Sequence, residues 1–435
     1  LAVSGLVGAF ILAPGFASAA TIKVKSNEDE FGVAGNCTLR EAIQSANTDS
    51  NQGGCKRRSG GAKDTILLPG HTEYPVAIPG GNEDANMTGD FDVASNITIK
   101  VSGGGKASID ANEQDRAFDV QTGGKLTASK LTIANGAPPD NGFSYGGAAI
   151  LNRGRLLLSR SNAFSNDALT GQATNGGAID ASANGGKTKL DRVVLTDNHA
   201  AQAGGAVAWS EGTLKITNSV ISDNDSHGGG GIALSGSSLD GVHIENTTIA
   251  GNTDLGDGPN AGGGGIAVSY FGGRTIRLTN VTISGNTAYA SGGGIWSYNG
   301  AVAVNGGTIT ANTANFNGDP DGRGGGAGGS GVSLRNTIVA DNEDVSPTSP
   351  LQDCYLLPLS PAHNYVFQDG GCPEGGSNRV GGLSWGPLAD NGGPTPTHKL
   401  QKGSEAIGHA GKDAPARDQR GVKRDSKPDI GAYER

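Results

Sequence analysis

The sequence is poor in charge, and what charge it has is unbalanced. Charged residues make up 17% of the 435, with a formal net charge of −9 and no basic tract. That balance excludes nucleic acid and anionic membrane surfaces as expected partners, because both are recognised through basic patches. No apolar run after residue 20 approaches the roughly 20 residues that a membrane helix needs. No C-x-x-C spacing occurs among the four cysteines, which argues against a zinc site. What the chain has in excess is glycine, 75 residues, without the every-third spacing of collagen.

The first residues, LAVSGLVGAFILAPGFASAA, hold an apolar run from Leu1 to Leu12 and a small-residue site at Ala17-Ser18-Ala19. This is the pattern of a secretory signal peptide, truncated at its own N-terminus and cleaved near Ala19. An extracellular or cell-surface location follows as an expectation. In that setting Cys37, Cys55, Cys354 and Cys372 suggest disulfides. Of three connectivities, Cys37–Cys55 and Cys354–Cys372 is the economical one, since each pair is 18 residues apart and near one end of the chain.

A phrase recurs through the middle of the chain. RVVLTDN ends at Asn198, SVISDN at Asn224, TTIAGN at Asn252, VTISGN at Asn286, TITAN at Asn312 and TIVADN at Asn342. The intervals run from 26 to 34 residues. Glycine clusters followed by Ile179, Val207, Ile232, Ile266 and Ile295 sit between them, and alternating pieces such as TLKITN and TIRLTN follow. Period-two alternation in short pieces, with no helical periodicity in the repeat, means short strands. A repeat of this length with one strand set per unit means a solenoid, so the expected fold is all-β, a parallel β-helix of roughly nine or ten coils. Ile and Val then stack inward. Asn falls at a tight turn and forms a ladder with its neighbours, and glycine supplies positive φ and close backbone approach. A β-propeller and an autotransporter passenger are the alternatives. The first needs more regular four-strand units, and the second normally carries a barrel.

The ends differ, as exposed solenoid edges require. NCTLREAIQSAN reads as an amphipathic capping helix, with Thr38 and Glu41 in capping-box positions. After residue 345 a Pro-rich stretch leads to an irregular cap. The expected organisation is 1–19 signal peptide, 20–95 N-terminal cap, 96–345 repeats and 346–435 C-terminal region.

CTLREAIQSAN with TILLPG resembles the CSLREA-type N-terminal domain of exported bacterial proteins, with Thr38 where that name has Ser. GPLADNGGPTPTHKLQKGSEAIGHAG…DQRG…DIGAYE resembles the choice-of-anchor Q region. In that family it follows a right-handed parallel β-helix and usually precedes an anchoring tail. The resemblance implies a secreted or cell-surface bacterial β-helix protein and carries no catalytic residues.

Motifs for chemistry are sparse. Asn252-Thr253-Asp254 matches one polygalacturonase-type tripeptide without its companions, and a turn is the competing reading. Arg274 and Arg277 alternate with apolar residues as solvent-facing strand positions do. His199 and His227 follow neighbouring Asn corners, and read as solvated turn residues. Asn317, Asp319 and Asp321 begin a calcium-loop pattern, but Gly328 stands where a bidentate Glu belongs, so at most a weak Ca²⁺ site is expected there. No cofactor is required by anything in the sequence. Trp296 and Tyr298 should point outward, with Tyr270 and Phe271 one coil earlier, as an aromatic platform for sugar rings. The expectation is a monomeric, non-catalytic, adhesin-like protein that presents a face to a polysaccharide or cell-surface glycan. The alternative is a polysaccharide lyase or glycoside hydrolase whose acidic residues come from different coils.

Overall fold

The computed structural model describes residues 20–435 apart from 58–62, 82, 140–145, 169–174, 183–185, 239–240, 259–260, 271–274, 316–322, 347–352, 356, 358–364, 367–371, 373–378 and 381. Three parallel sheets wind about one axis: sheet 1 of 21 strands, sheet 2 of ten and sheet 3 of seven. One turn shows the path. Thr213–Thr217 and Val220–Ser222 lie in sheet 1, Asp225–Ser226 in sheet 3 and Ile232–Ser238 in sheet 2. Each strand then pairs in parallel with its counterpart one turn on, as Leu214 with Val242 and Ile232 with Ile266. The architecture is a parallel β-helix, right-handed as parallel crossovers almost always are.

The core follows from alternation. Phe91, Phe118, Ile150, Ile179, Val207, Ile232, Ile266 and Ile295 are register partners down the inside of sheet 2, each at most 1% exposed. Trp209 points inward between Ala181 and Leu234 and is fully buried. Before each of these strands except the one at Phe118 a glycine takes a left-handed φ, for example Gly176 at 67°, Gly204 at 69° and Gly292 at 65°. A Cβ on Gly204 would lie 2.2 Å from the Val207 carbonyl oxygen, so the turn is closed to any side chain.

The asparagines form a continuous buried ladder. Asn198 Nδ2 donates to Asn224 Oδ1 at 2.8 Å, Asn224 to Asn252 at 2.8 Å, Asn252 to Asn286 at 2.9 Å, and Asn286 and Asn312 each to the next rung at 2.8 Å. Asn166 precedes Asn198 as a further rung, and Asn342 ends on the Asp353 carboxylate at 2.8 Å.

The N-terminal end is closed by a helix, Leu39–Asn47, with the Thr38–Glu41 capping box formed. Its Arg40 is fully buried, held by Asp29 at 2.7 Å and by the carbonyls of Gly89 and Asp90, with its guanidinium over the Phe91 ring. Disulfides join Cys37 to Cys55 and Cys354 to Cys372. The C-terminal region adds Cys354–Tyr355 to sheet 2 and Tyr365–Val366 and Arg379–Val380 to sheet 1, then forms an antiparallel hairpin, Trp385–Ala389 with Thr397–Leu400. It lies on the flank of sheet 1. Gln419 hydrogen-bonds both Thr248 and Thr282, and Asn280 donates to the Arg417 carbonyl. Ile338, Ala340, Leu400, Ala406, Ile430 and Tyr433 make a small second core there. Among the described residues, no helix is long and apolar enough to cross a membrane.

Candidate functional site

The alternation that buries one face of sheet 2 turns the other outward. Down that outer face the register runs Asp92, Asp119, Leu151, Asp180, Ala208, Ala233, Ala267, Trp296, Gly328 and Tyr355. One column therefore has an acidic end, a floor of alanines and an aromatic end. Beside it, the next outward position on successive strands is occupied by Ser182, Ser210, Ser235, Ser269 and Tyr298, none of them buried.

At the aromatic end the Trp296 and Tyr355 rings lie near-parallel, 16° apart, with centroids 6.3 Å apart. Gly328 stands between them in register, and a Cβ there would come within 2.6 Å of the indole. The missing side chain is what lets Trp296 lie over the sheet. The Arg323 guanidinium sits 4.8 Å from the Tyr355 ring and donates to its hydroxyl. Trp296 is half-buried, while Tyr298 is 41% exposed. The indole N–H of Trp296 has no protein acceptor among the described residues. Of the expected platform, Trp296 and Tyr298 therefore share this face. Tyr270 ends the strand Ile266–Tyr270, but its side chain and all of Phe271 lie outside the described residues, as do Asn317, Asp319 and Asp321.

At the acidic end, Asp92 and Asp119 are 0% and 4% exposed. Asp92 accepts from the Asn86 N–H at 2.8 Å and from Gln121 Nε2 at 2.9 Å, while Asp119 accepts from Arg153. Burial pushes the Asp92 carboxyl up to about 7, and burial raises Asp119 and Asp180 as well. Asp90 and Asp115 flank Arg116 and are also raised by burial, Asp90 further by the Asp115 charge. Carboxylate oxygens of Asp84, Asp92 and Asp119 lie within 4.8 Å of one another, in cation-binding proximity. Arg153 already bridges Asp84 and Asp119, so the protein itself supplies the positive charge at that spot.

The acidic end was legible but easy to pass over. Phe91-Asp-Val93 and Phe118-Asp-Val120 are the same tripeptide 27 residues apart, upstream of the clear repeats. Tyr355 gives no such signal, because it follows the point where the repeat stops.

The other sequence candidates separate in space. His199 contacts Asp225, its register partner on the next turn, through Nδ1. Asn252 is a ladder rung, and Asp254 is a fully buried turn carboxylate that accepts from the Gly256 N–H. Burial raises Asp254 to about 7. Arg277 points outward from sheet 1, and Arg274 lies outside the described residues.

No curated protein matches the chain. Residues 116–305, which carry most of the sheet 2 column from Asp119 to Trp296, match the family model described as right handed beta helix region.

Proposed function

We propose that the protein is a secreted or cell-surface glycan-binding scaffold, which holds a polysaccharide chain along the outer face of sheet 2 without cleaving it. The observation that carries this reading is the Trp296–Tyr355 pair lying at the end of an alanine floor flanked by serine hydroxyls. Aromatic faces suit the apolar faces of sugar rings, and hydroxyls suit their rims. From Ser182 to Tyr298 along the unburied column is four rungs, roughly 19 Å at the ordinary strand spacing, which accommodates several sugar residues. The two disulfides agree with an oxidising compartment. The acidic residues do not support cleavage, because a general acid must reach its substrate and these are buried and already hydrogen-bonded.

A second reading, hydrolysis or elimination at the acidic end, is favoured by one observation. Asp92 and Asp119 present carboxylate oxygens within 4.8 Å of each other, and Asp92 holds its proton to about 7. One experiment tests both. The protein is incubated with plant and bacterial polysaccharides, with and without Ca²⁺, and retention and new reducing or unsaturated ends are measured. Retention without product, weakened about tenfold or more by Trp296→Ala, is expected, since a stacked aromatic is worth roughly 1–2 kcal/mol. Product formation abolished by Asp119→Asn would replace the binding reading with the catalytic one.

A further inference from the structure

The acidic net charge conceals a basic face on a different sheet. On the outside of sheet 1, Lys125, Arg155 and Lys187 are register partners on three successive rungs. One column over, Lys189 pairs with Lys215, and the column continues through His243 to Arg277. Arg160 and Arg192 stand exposed at the left-handed corner beside them. Lys125 is half-buried and the others are exposed. Within the strands Arg155–Ser159, Lys187–Asp191 and Thr213–Thr217 the carboxylate is Asp191, 3.5 Å from Arg192, while Asp197, Glu211 and Asp223 stand exposed elsewhere on the same turns. No ion pair engages Lys125, Arg155, Lys187, Lys189 or Lys215 among the described residues. Among the described residues, the hydrogen bonds from the C-terminal region to sheet 1 begin at Asn246, beyond these rungs.

We propose that this stripe is a second ligand surface, one that holds a linear acidic polysaccharide along the solenoid axis. Three properties of the face select that partner. Cations stand on four successive rungs, Lys125, Arg155, Lys187 and Lys215, about 4.8 Å apart, so a linear polyanion lying along the axis meets a cation at each of them. The face is a continuous parallel sheet, which suits an extended chain. Outward residues on the three strands Lys125–Ser129, Arg155–Ser159 and Lys187–Asp191 include no aromatic ring, so the cationic strands themselves offer a single-stranded nucleic acid nothing on which to stack its bases; the exposed Phe164 lies across the corner on Asn162–Phe164, which makes oligothymidine the discriminating control. The assignment is independent of the sheet 2 reading, since the two faces share no residue.

Binding of the intact protein to polygalacturonate, to an uncharged glucan and to single-stranded oligothymidine tests it. Retention on polygalacturonate is expected at about 0.02 M NaCl and at least tenfold weaker at about 0.5 M, where screening is strong. The triple variant Lys187→Gln, Lys189→Gln, Lys215→Gln changes only exposed side chains, and its circular dichroism should match the parent. It should bind polygalacturonate about tenfold more weakly at low salt, whereas Trp296→Ala should leave that binding unchanged. No retention at low salt, or full retention by the triple variant, would overturn the proposal. Equal affinity for oligothymidine would overturn it too, by reducing the stripe to a surface for any polyanion.

Discussion

Replacing Asn252 with alanine removes one amide from the middle of the ladder, and the structure sets what that costs. Asn252 Oδ1 accepts from the Asn224 backbone N–H at 3.1 Å and from Asn224 Nδ2 at 2.8 Å. Its own Nδ2 donates to the carbonyls of Ile221 at 3.0 Å and Ala250 at 3.2 Å and to Asn286 Oδ1 at 2.9 Å. Some of these partners keep an alternative. Asn224 Nδ2 retains Leu195 and Ser222, and Asn286 Oδ1 retains the Asn252 N–H. The Asn224 N–H does not, and Asn224 is 1% exposed. Leaving that donor unsatisfied costs about 1–3 kcal/mol, and the net loss of two further hydrogen bonds adds about 1 each, so the expected loss is about 3–5 kcal/mol. In a solenoid the damage should concentrate on the rungs that touch the site. Urea denaturation measures the total, and hydrogen exchange at the residue 224 amide measures the local part, expected to quicken by about a hundredfold or more. A loss under about 1 kcal/mol with unchanged exchange would refute the view that the ladder amides hold the turns together. Loss of glycan retention without loss of stability would instead make Asn252-Thr253-Asp254 a working motif.

Two further outcomes follow from the N-terminal turns. The Asp92 carboxyl is raised to about 7 in the folded protein by burial, above its unfolded value, so its contribution to stability is fully present below the unfolded value near 4 and is lost as pH rises through about 7. Asp92→Asn should flatten that decline and stabilise the protein most at alkaline pH, as read from melting temperature against pH; an unchanged profile would remove Asp92 as its source. Opening the Cys37–Cys55 bridge by Cys55→Ser should cost about 3 kcal/mol, the value for a loop of this length, and loosen Leu39–Asn47 first, seen as early proteolysis near the N-terminus. Cleavage first at the C-terminal end would show that the bridge does not clamp the cap.

Local pattern in the sequence was enough for the coil. Asn at a fixed offset from an Ile or Val, glycines before the next strand and period-two alternation are each tied to one backbone conformation, so the turns, the inward column and the ladder could be read directly. The capping helix was legible for the same reason, because Thr38 and Glu41 are three residues apart and satisfy each other locally. Trp296 and Tyr298 could be placed outward from Ile295 by alternation alone.

Register between turns decided the rest, and loops of unequal length hide register from a linear reading. That Asp92 faces Asp119, that Trp296 meets Tyr355 across Gly328, and that Lys125, Arg155 and Lys187 fall in one line depends on which residue pairs with which a whole turn away. The same holds for the C-terminal region, whose Gln419 gave no hint that it would lie against Thr248 and Thr282 of sheet 1. Sequence by itself determined the repeating unit, because each unit's hydrogen bonds and buried side chains are local or fall to its copies. Tertiary structure decided the faces, because a face of a solenoid is a column of residues 25 to 34 apart, and only stacking turns them into neighbours.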